Sequence, residues 1–180
     1  TSMRLGRKKI ICFDMGGTST DVAHCLGKIE YRSKTEIEGI SIVAPMVDIH
    51  TVAAGGGSVV NFDGVQLKVG PASAGSEPGP ACYKRGGPLT ITDCNLLLGF
   101  LNPEYFPKCF GKENNQMLDR NIVSAEFKKL IVSSNSRQLR KMNIYQFAEG
   151  FIKIANEKMA NAIKKISVSY THLRAHETFA

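Results

Sequence analysis

The sequence predicts an α/β fold with a β-rich front half and a helical back third. Three observations carry this prediction. Short apolar runs separated by glycine-containing turns fill the chain up to Val69, a stretch dense in proline and glycine follows from Gly70 to Pro88, and beyond Gly111 apolar residues recur every three or four positions.

The first run, Lys9-Ile10-Ile11-Cys12-Phe13, ends at Asp14 and meets the turn signal Gly16-Gly17-Thr18. Asp21 to Leu26 then resumes a strand pattern until Gly27, which gives strand, glycine hairpin, strand. Further strands are expected at Ile29 to Ile37 and Ile49 to Ala53. Ser58 to Phe62 and Val65 to Val69 flank Asp63-Gly64, a two-residue hairpin signal. Gly70 to Pro88 carries too many breakers for a regular element and is expected to be a shaped loop. Thr90-Ile91-Thr92-Asp93 offers an N-cap, with Asp93 in that role, to a helix over Cys94 to Leu98 that Gly99 stops. A helix is expected around Ser124 to Val132, with Phe127, Leu130 and Ile131 inward, and Ser133 to Ser136 leads out of it. Asn143 and Gln146 read as a capping box opening a long amphipathic helix through Ile144, Phe147, Phe151, Ala155, Met159, Ala162 and Ile166. Residues 1–110 and 111–168 are thus expected to be the β-rich and helical parts of one domain. Residues 169–180 drop the pattern and read as a non-native tail; the pair His172 and His176 within it lacks the glutamate of a zincin motif.

The chain has 180 residues, 43 % of them hydrophobic and 22 % charged, enough to build a core and too apolar for disorder. No apolar run reaches membrane-spanning length. Most of the net charge of +7 lies beyond residue 110, without the interleaved aromatics of a nucleic-acid surface, so solvated helix faces are expected and neither nucleic acid nor membrane as a partner. Five cysteines with no Cys-x-x-Cys pair argue against a zinc site or a disulfide framework and for reduced thiols in the cytoplasm. Cys12 reads as a core residue. Cys82 reads as a packed thiol, although Lys84 and Arg85 nearby are positioned in sequence to lower its pKa.

The string Asp14 to Val22, DMGGTSTDV, carries the chemistry. Adjacent glycines let backbone N–H groups approach phosphate oxygens, and the hydroxyls of Thr18, Ser19 and Thr20 add donors. Asp14 and Asp21 bracket the turn with carboxylates suited to Mg²⁺. Neither GxxxxGK[ST] nor GxGxxG is present, so a P-loop and a dinucleotide fold are not indicated. Gly55-Gly56-Gly57-Ser58 reads either as a second anion-binding nest or as a flexible turn. His50, between Asp48 and Thr51, is a candidate for proton transfer or a satisfied strand histidine.

DMGGTSTDV is similar to the second phosphate motif of the actin, sugar-kinase and heat-shock ATPase superfamily. Together with VDIHTVAAGGGS (Val47 to Ser58), VGPASAGSEPGPACYKRGG (Val69 to Gly87) and TITDCNLLLGFL (Thr90 to Leu101), it resembles the hydantoinase A and 5-oxoprolinase family. FPKCFGKENNQMLD (Phe106 to Asp119) resembles the eukaryotic-type 5-oxoprolinases, and ANEKMANAIKKISV (Ala155 to Val168) resembles the helix before that family's adenosine loop.

The resemblance implies an actin-like, ribonuclease H-like ATPase subdomain, incomplete here, because the family's other phosphate hairpin and its adenosine loop are not among these residues. It implies ATP-dependent opening of 5-oxoproline or a related cyclic amide, with ATP and Mg²⁺ as cofactors. The expected ligand set is Asp14, Gly16, Gly17, Thr18, Ser19, Thr20 and Gly55 to Ser58, with Asp14 and Asp21 on the metal and Asp21 and His50 in catalysis. The rest of a larger enzyme, homodimeric at full length, would be the partner. A hydantoinase, an acetone carboxylase relative and a fragment that binds no nucleotide are the alternatives.

Overall fold

The computed structural model describes residues 6–7, 9–37, 39–63, 65–133 and 142–177, the side chains of residues 37 and 168–177 excepted. The chain divides into two compact units. One holds the chain up to Asp14, Thr20–Val52 and the chain from Met159 onward; the other holds Met15–Ser19 and Ala53–Lys158.

The first unit contains β1 (Lys9–Met15) as far as Asp14, β2 (Thr20–Leu26), β3 (Tyr31–Arg32), β4 (Thr35–Ile37), β5 (Ile40–Ile42), β6 (Met46–Val47) and β7 (Ile49–Val52). β1, β2 and β7 form one sheet with β2 central, while β3 pairs with β6 and β4 with β5. The single strand expected over Ile29 to Ile37 is therefore two short ones, interrupted by a bend at Ser33. β2 and β7 are antiparallel, with Thr20 opposite Val52, Asp21 opposite Thr51, Val22 opposite His50 and Ala23 opposite Ile49. Thr20 and Val22 alternate inward and are fully buried. β1, at the sheet edge, is exposed along nearly its whole length, and Cys12 with it, so Cys12 is not the core residue its strand setting suggested.

In the second unit β8 (Ser58–Phe62) pairs antiparallel with β9 (Leu67–Ser73). The Asp63-Gly64 connection is longer than the expected two residues, because Phe62 pairs with Leu67 and the Asp63 carboxylate accepts the N–H groups of Val65 and Gln66 at 3.0 and 2.9 Å. Lys68, 2.6 Å away, and those N–H groups hold the Asp63 carboxyl far below its usual range. β9 also runs four residues into the stretch expected to be loop. Between the pairs Ser58/Ser73 and Val60/Val69 it takes four steps to β8's two, a bulge that accommodates Gly70 and Pro71.

A 3₁₀ turn (Ala81–Tyr83) precedes α1 (Ile91–Leu98), and a second 3₁₀ turn (Pro103–Tyr105) follows it; then come α2 (Arg120–Ser133) and α3 (Ile144–Glu177). α1 begins earlier than expected. Thr90 is its N-cap and Asp93 is the third helical residue, completing a capping box with it. Asn143 and Gln146 form the expected box at α3, each side chain accepting the other's backbone N–H at 2.8 and 3.0 Å. α3 runs to Glu177, through most of the residues expected to form a tail, and the connection after Ser133 lies outside the described residues. Among the described residues no helix is long and apolar enough to cross a membrane.

Phe127 of α2 and Phe147 and Phe151 of α3 are fully buried, with Phe147 and Phe151 edge to face at 5.5 Å. α3 lies close along β9: a side chain at Gly150 would meet Leu67 Cδ1 at 2.8 Å, and Lys158 Nζ donates to the Val69 carbonyl at 2.5 Å. Asp119, just before α2, accepts the N–H groups of Asn121 and Ile122 at 2.8 and 3.2 Å and pairs with Lys84 at 3.1 Å. Burial raises its carboxyl pKa, but the Ile122 N–H, Lys84 and the Asn121 N–H outweigh this and hold it below its usual range. Its stabilising contribution is present above the unfolded carboxyl pKa and is lost as pH falls through the lowered folded value. Asp119→Ala is expected to cost about 1 kcal/mol, the loss of a helix cap, in urea unfolding at neutral pH. The gap from wild type should close in strongly acidic buffer, and a gap independent of pH would remove the carboxylate from this role.

Candidate phosphate-binding turn

The turn between β1 and β2 is built almost entirely from main-chain contacts. Gly16 N–H donates to the Ser19 carbonyl at 2.8 Å and closes it. The carbonyls of Gly16 and Gly17 both face the glycine-rich loop, accepting the N–H groups of Gly56 at 3.0 Å and Gly57 at 2.5 Å. The loop is anchored from behind. The Gly56 carbonyl accepts Thr92 N–H at 2.8 Å and Thr92 Oγ1–H at 2.9 Å, and the Gly57 carbonyl accepts Ala74 N–H at 2.8 Å.

This contact is why the loop is glycine. A Cβ on Gly55 would lie 2.8 Å from the Gly16 oxygen and from the Gly17 carbonyl carbon and oxygen; one on Gly57 would lie 2.9 Å from the Gly17 oxygen, and one on Gly56 2.9 Å from Thr92 Oγ1. Two backbones pack directly, with no room for side chains between them.

The same contact decides where the turn's amides point. In a trans peptide the carbonyl of one residue and the N–H of the next face opposite ways. With the Gly16 and Gly17 carbonyls turned into the loop, the N–H groups of Gly17 and Thr18 are turned out of it. Among the described residues neither they nor Ser19 N–H donates to any protein group. Gly17 and Thr18 are exposed, and a side chain at Gly17 would meet nothing within 4 Å. Consecutive outward N–H groups on an exposed turn can receive an anion.

Not every expected ligand belongs to this turn. The four amides of the supposed nest are already committed: Gly55 N–H to Ser58 Oγ at 2.9 Å, Ser58 N–H to the Gly55 carbonyl at 3.1 Å, and those of Gly56 and Gly57 to the turn. Gly55 to Ser58 therefore support the turn and offer no open nest. Thr20 is fully buried with its hydroxyl on Met159 Sδ at 3.6 Å, which makes it a core residue and no ligand. Ser19 is half-buried, and its carbonyl closes the turn.

Asp14 is exposed near the end of β1, and Asp21 Oδ1 accepts Thr51 Oγ1–H at 2.6 Å. His50 pairs across from Val22, and neighbouring strand residues face opposite ways, so His50 and Asp21 lie on opposite faces of the sheet. The two catalytic candidates are thus not brought together. Carboxylates and hydroxyls are hard donors that suit Mg²⁺, which ordinarily rests on one or two carboxylates plus the oxygens of a bound phosphate. Among the described residues no three of His, Cys, Asp and Glu gather into a metal cage.

Cys82 is packed as expected. Burial, with Asp93 beside it, pushes its thiol far up, while Lys84 and Arg85 are occupied by Asp119 and Glu77. Asp93 itself is fully buried and accepts four donors: Ala81 N–H at 3.1 Å, Cys82 N–H at 2.8 Å, Thr90 N–H at 2.8 Å and Thr90 Oγ1–H at 2.9 Å. It is the post to which the loop before α1 is tied. The reading of Asp93 as a plain N-cap missed this, as the pattern reading missed Thr92. The one signal for either was their place in the capping string.

The Hydantoinase/oxoprolinase family profile matches residues 1–179. The chain belongs to the hydantoinase/oxoprolinase family. This hydantoinase/oxoprolinase chain is 50 % identical over 165 residues to 5-oxoprolinase of Dictyostelium discoideum, covering 89 % of itself and 13 % of that protein. It is 33 % identical over 166 residues to the caprolactamase alpha subunit of Pseudomonas jessenii, covering 91 % of itself and 22 % of that subunit. Among solved structures, nucleotide-free acetone carboxylase, an enzyme of ATP-dependent acetone carboxylation, superposes with a TM-score of 0.75 at 29 % identity, over 92 % of this chain and 22 % of that one. The hydantoinase/oxoprolinase chain thus spans a small part of the length of these relatives.

Proposed function

We propose that the chain is the part of an ATP-dependent cyclic amide hydrolase that supplies one phosphate clamp, and that the whole enzyme opens 5-oxo-L-proline to L-glutamate. The observation that carries the clamp is the pair of outward N–H groups at Gly17 and Thr18, fixed by carbonyls that the glycine-rich loop holds. The preference for a lactam substrate is supported by the identity to a 5-oxoprolinase and to a caprolactamase subunit.

Opening an unactivated lactam is slow. Phosphoryl transfer from ATP to the ring carbonyl oxygen, with ADP leaving, makes the carbon electrophilic and turns that oxygen into part of a leaving phosphate. Water then adds at the carbon, the ring C–N bond breaks with a proton passing to nitrogen, and phosphate is released by hydrolysis. In this scheme the turn N–H groups and the Thr18 hydroxyl would hold nucleotide phosphate, and Asp14 and Asp21 would hold Mg²⁺, whose charge would offset that of the phosphates. The fold proposed for the nucleotide part is the actin-like ATPase subdomain, with residues 1–110 and 111–168 as its β-rich and helical portions, joined to the rest of a cytoplasmic, homodimeric enzyme. His50, on the sheet face opposite Asp21, has no assigned step.

Calorimetric titration with MgATP tests the clamp. Wild type is expected to bind, and Asp14→Asn to bind about tenfold or more weakly, as loss of a metal-ligating charge implies. Equal affinities would remove Asp14 from the site.

A further inference from the structure

We propose that Ser73, at the end of β9, is a nucleotide-binding residue whose hydroxyl joins that of Thr18 on the terminal phosphate of ATP. The inference rests on the reading of the turn as a phosphate clamp and extends it to a residue outside the hairpin.

Ser73 is held firmly beside the turn. Its backbone pairs with Ser58, and the next residue, Ala74, donates its N–H to the Gly57 carbonyl at 2.8 Å. Its Oγ lies 3.2 Å from Thr18 Oγ1 and accepts Gly75 N–H at 3.2 Å. A Cβ on Gly57 would sit 3.1 Å from that Oγ, so the glycine keeps the hydroxyl uncrowded.

Counting protons gives the chemistry. Two hydroxyls have two hydrogens, and one hydrogen bond between them uses one. Ser73 Oγ already accepts from Gly75, and the second hydrogen of the pair has no acceptor among the described residues. The pair thus keeps one hydrogen to give on an exposed turn that also presents outward N–H groups, and beside those N–H groups a phosphate oxygen is the acceptor that would take it. Stability does not account for the pair. The turn is already fixed by the Gly56 and Gly57 amides, and an exposed hydroxyl contact adds little in water.

The test compares MgATP with MgADP in calorimetric titrations of wild type, Ser73→Ala, Ser73→Cys and Asp14→Asn. Ser73→Ala is expected to weaken MgATP about tenfold, the loss of one charge-assisted hydrogen bond, and MgADP less than about twofold. Ser73→Cys, close in volume but a weak donor, should reproduce that selective loss and decides the matter if the alanine variant does not fold. Unchanged affinities in the Ser73 variants, or equal losses for both nucleotides, overturn the inference while a weakened Asp14→Asn leaves the clamp standing. Wild type that binds neither nucleotide overturns the clamp and this inference with it.

Discussion

Gly55→Ala is expected to destabilise the protein by about 2 to 3 kcal/mol and to abolish MgATP binding, whereas Gly17→Ala should leave the fold intact and weaken binding alone. The added methyl at Gly55 would press on Gly16 and Gly17 main-chain atoms at 2.8 Å, and backbone cannot rotate away as a flexible side chain can. Relief requires the loop and the turn to part, which breaks the Gly56 and Gly57 hydrogen bonds and costs what overpacking ordinarily costs. At Gly17 the same methyl meets open space, and its φ is not left-handed, so reduced freedom of the unfolded chain should offset any loss of stability. There the methyl intrudes only on a ligand approaching the amides. Thermal melts paired with MgATP titration separate the two effects. Equal stability losses in both variants would show that the turn glycines serve the fold alone.

Asp93→Ala is expected to cost about 3 to 5 kcal/mol and to expose Cys82 to thiol reagents. The substitution strips the acceptor from three backbone N–H groups and a hydroxyl around a fully buried carboxylate, and each stranded donor bears its own desolvation cost. The 3₁₀ turn at Ala81–Tyr83 should come loose first, because its Ala81 and Cys82 amides are held by that carboxylate. Labelling under native conditions followed by mass spectrometry should find Cys12 and Cys109 modified in wild type, and Cys82 in addition in the variant. A Cys82 that stays protected would mean that the loop is held by its other contacts, among them Arg85 bonding to Glu77 and to the Gly111 and Cys109 carbonyls.

Much of this molecule is written in local patterns. The stripe Phe147, Phe151, Ala155, Met159 and Ala162 is buried as its spacing required, and the Asn143/Gln146 box opens α3. The glycine hairpin between β1 and β2 was equally legible, because Gly-Gly between apolar runs admits few other readings. What local pattern does not encode is burial and partnership. Thr20 and Thr18 look alike in DMGGTSTDV, but Thr20 opens β2 on its buried face while Thr18 stays in the turn and exposed. Cys12 sits in an apolar strand, yet the strand is an exposed edge. The glycines at 55–57 signal close approach in either role. Only the distant partner, the Gly16 and Gly17 carbonyls some forty residues earlier, shows that protein approaches them. Ser73 was hidden because a bulge carries β9 through Gly70 and Pro71.

The joint between turn and loop uses atoms that every residue possesses. Gly16 and Gly17 are gripped through their carbonyls, so the mounting of the turn is indifferent to the side chains at 18 and 19. Such a socket separates two inheritances: glycine is required where backbones touch, while the tip can change its hydroxyls, and with them what it grasps, without being unseated.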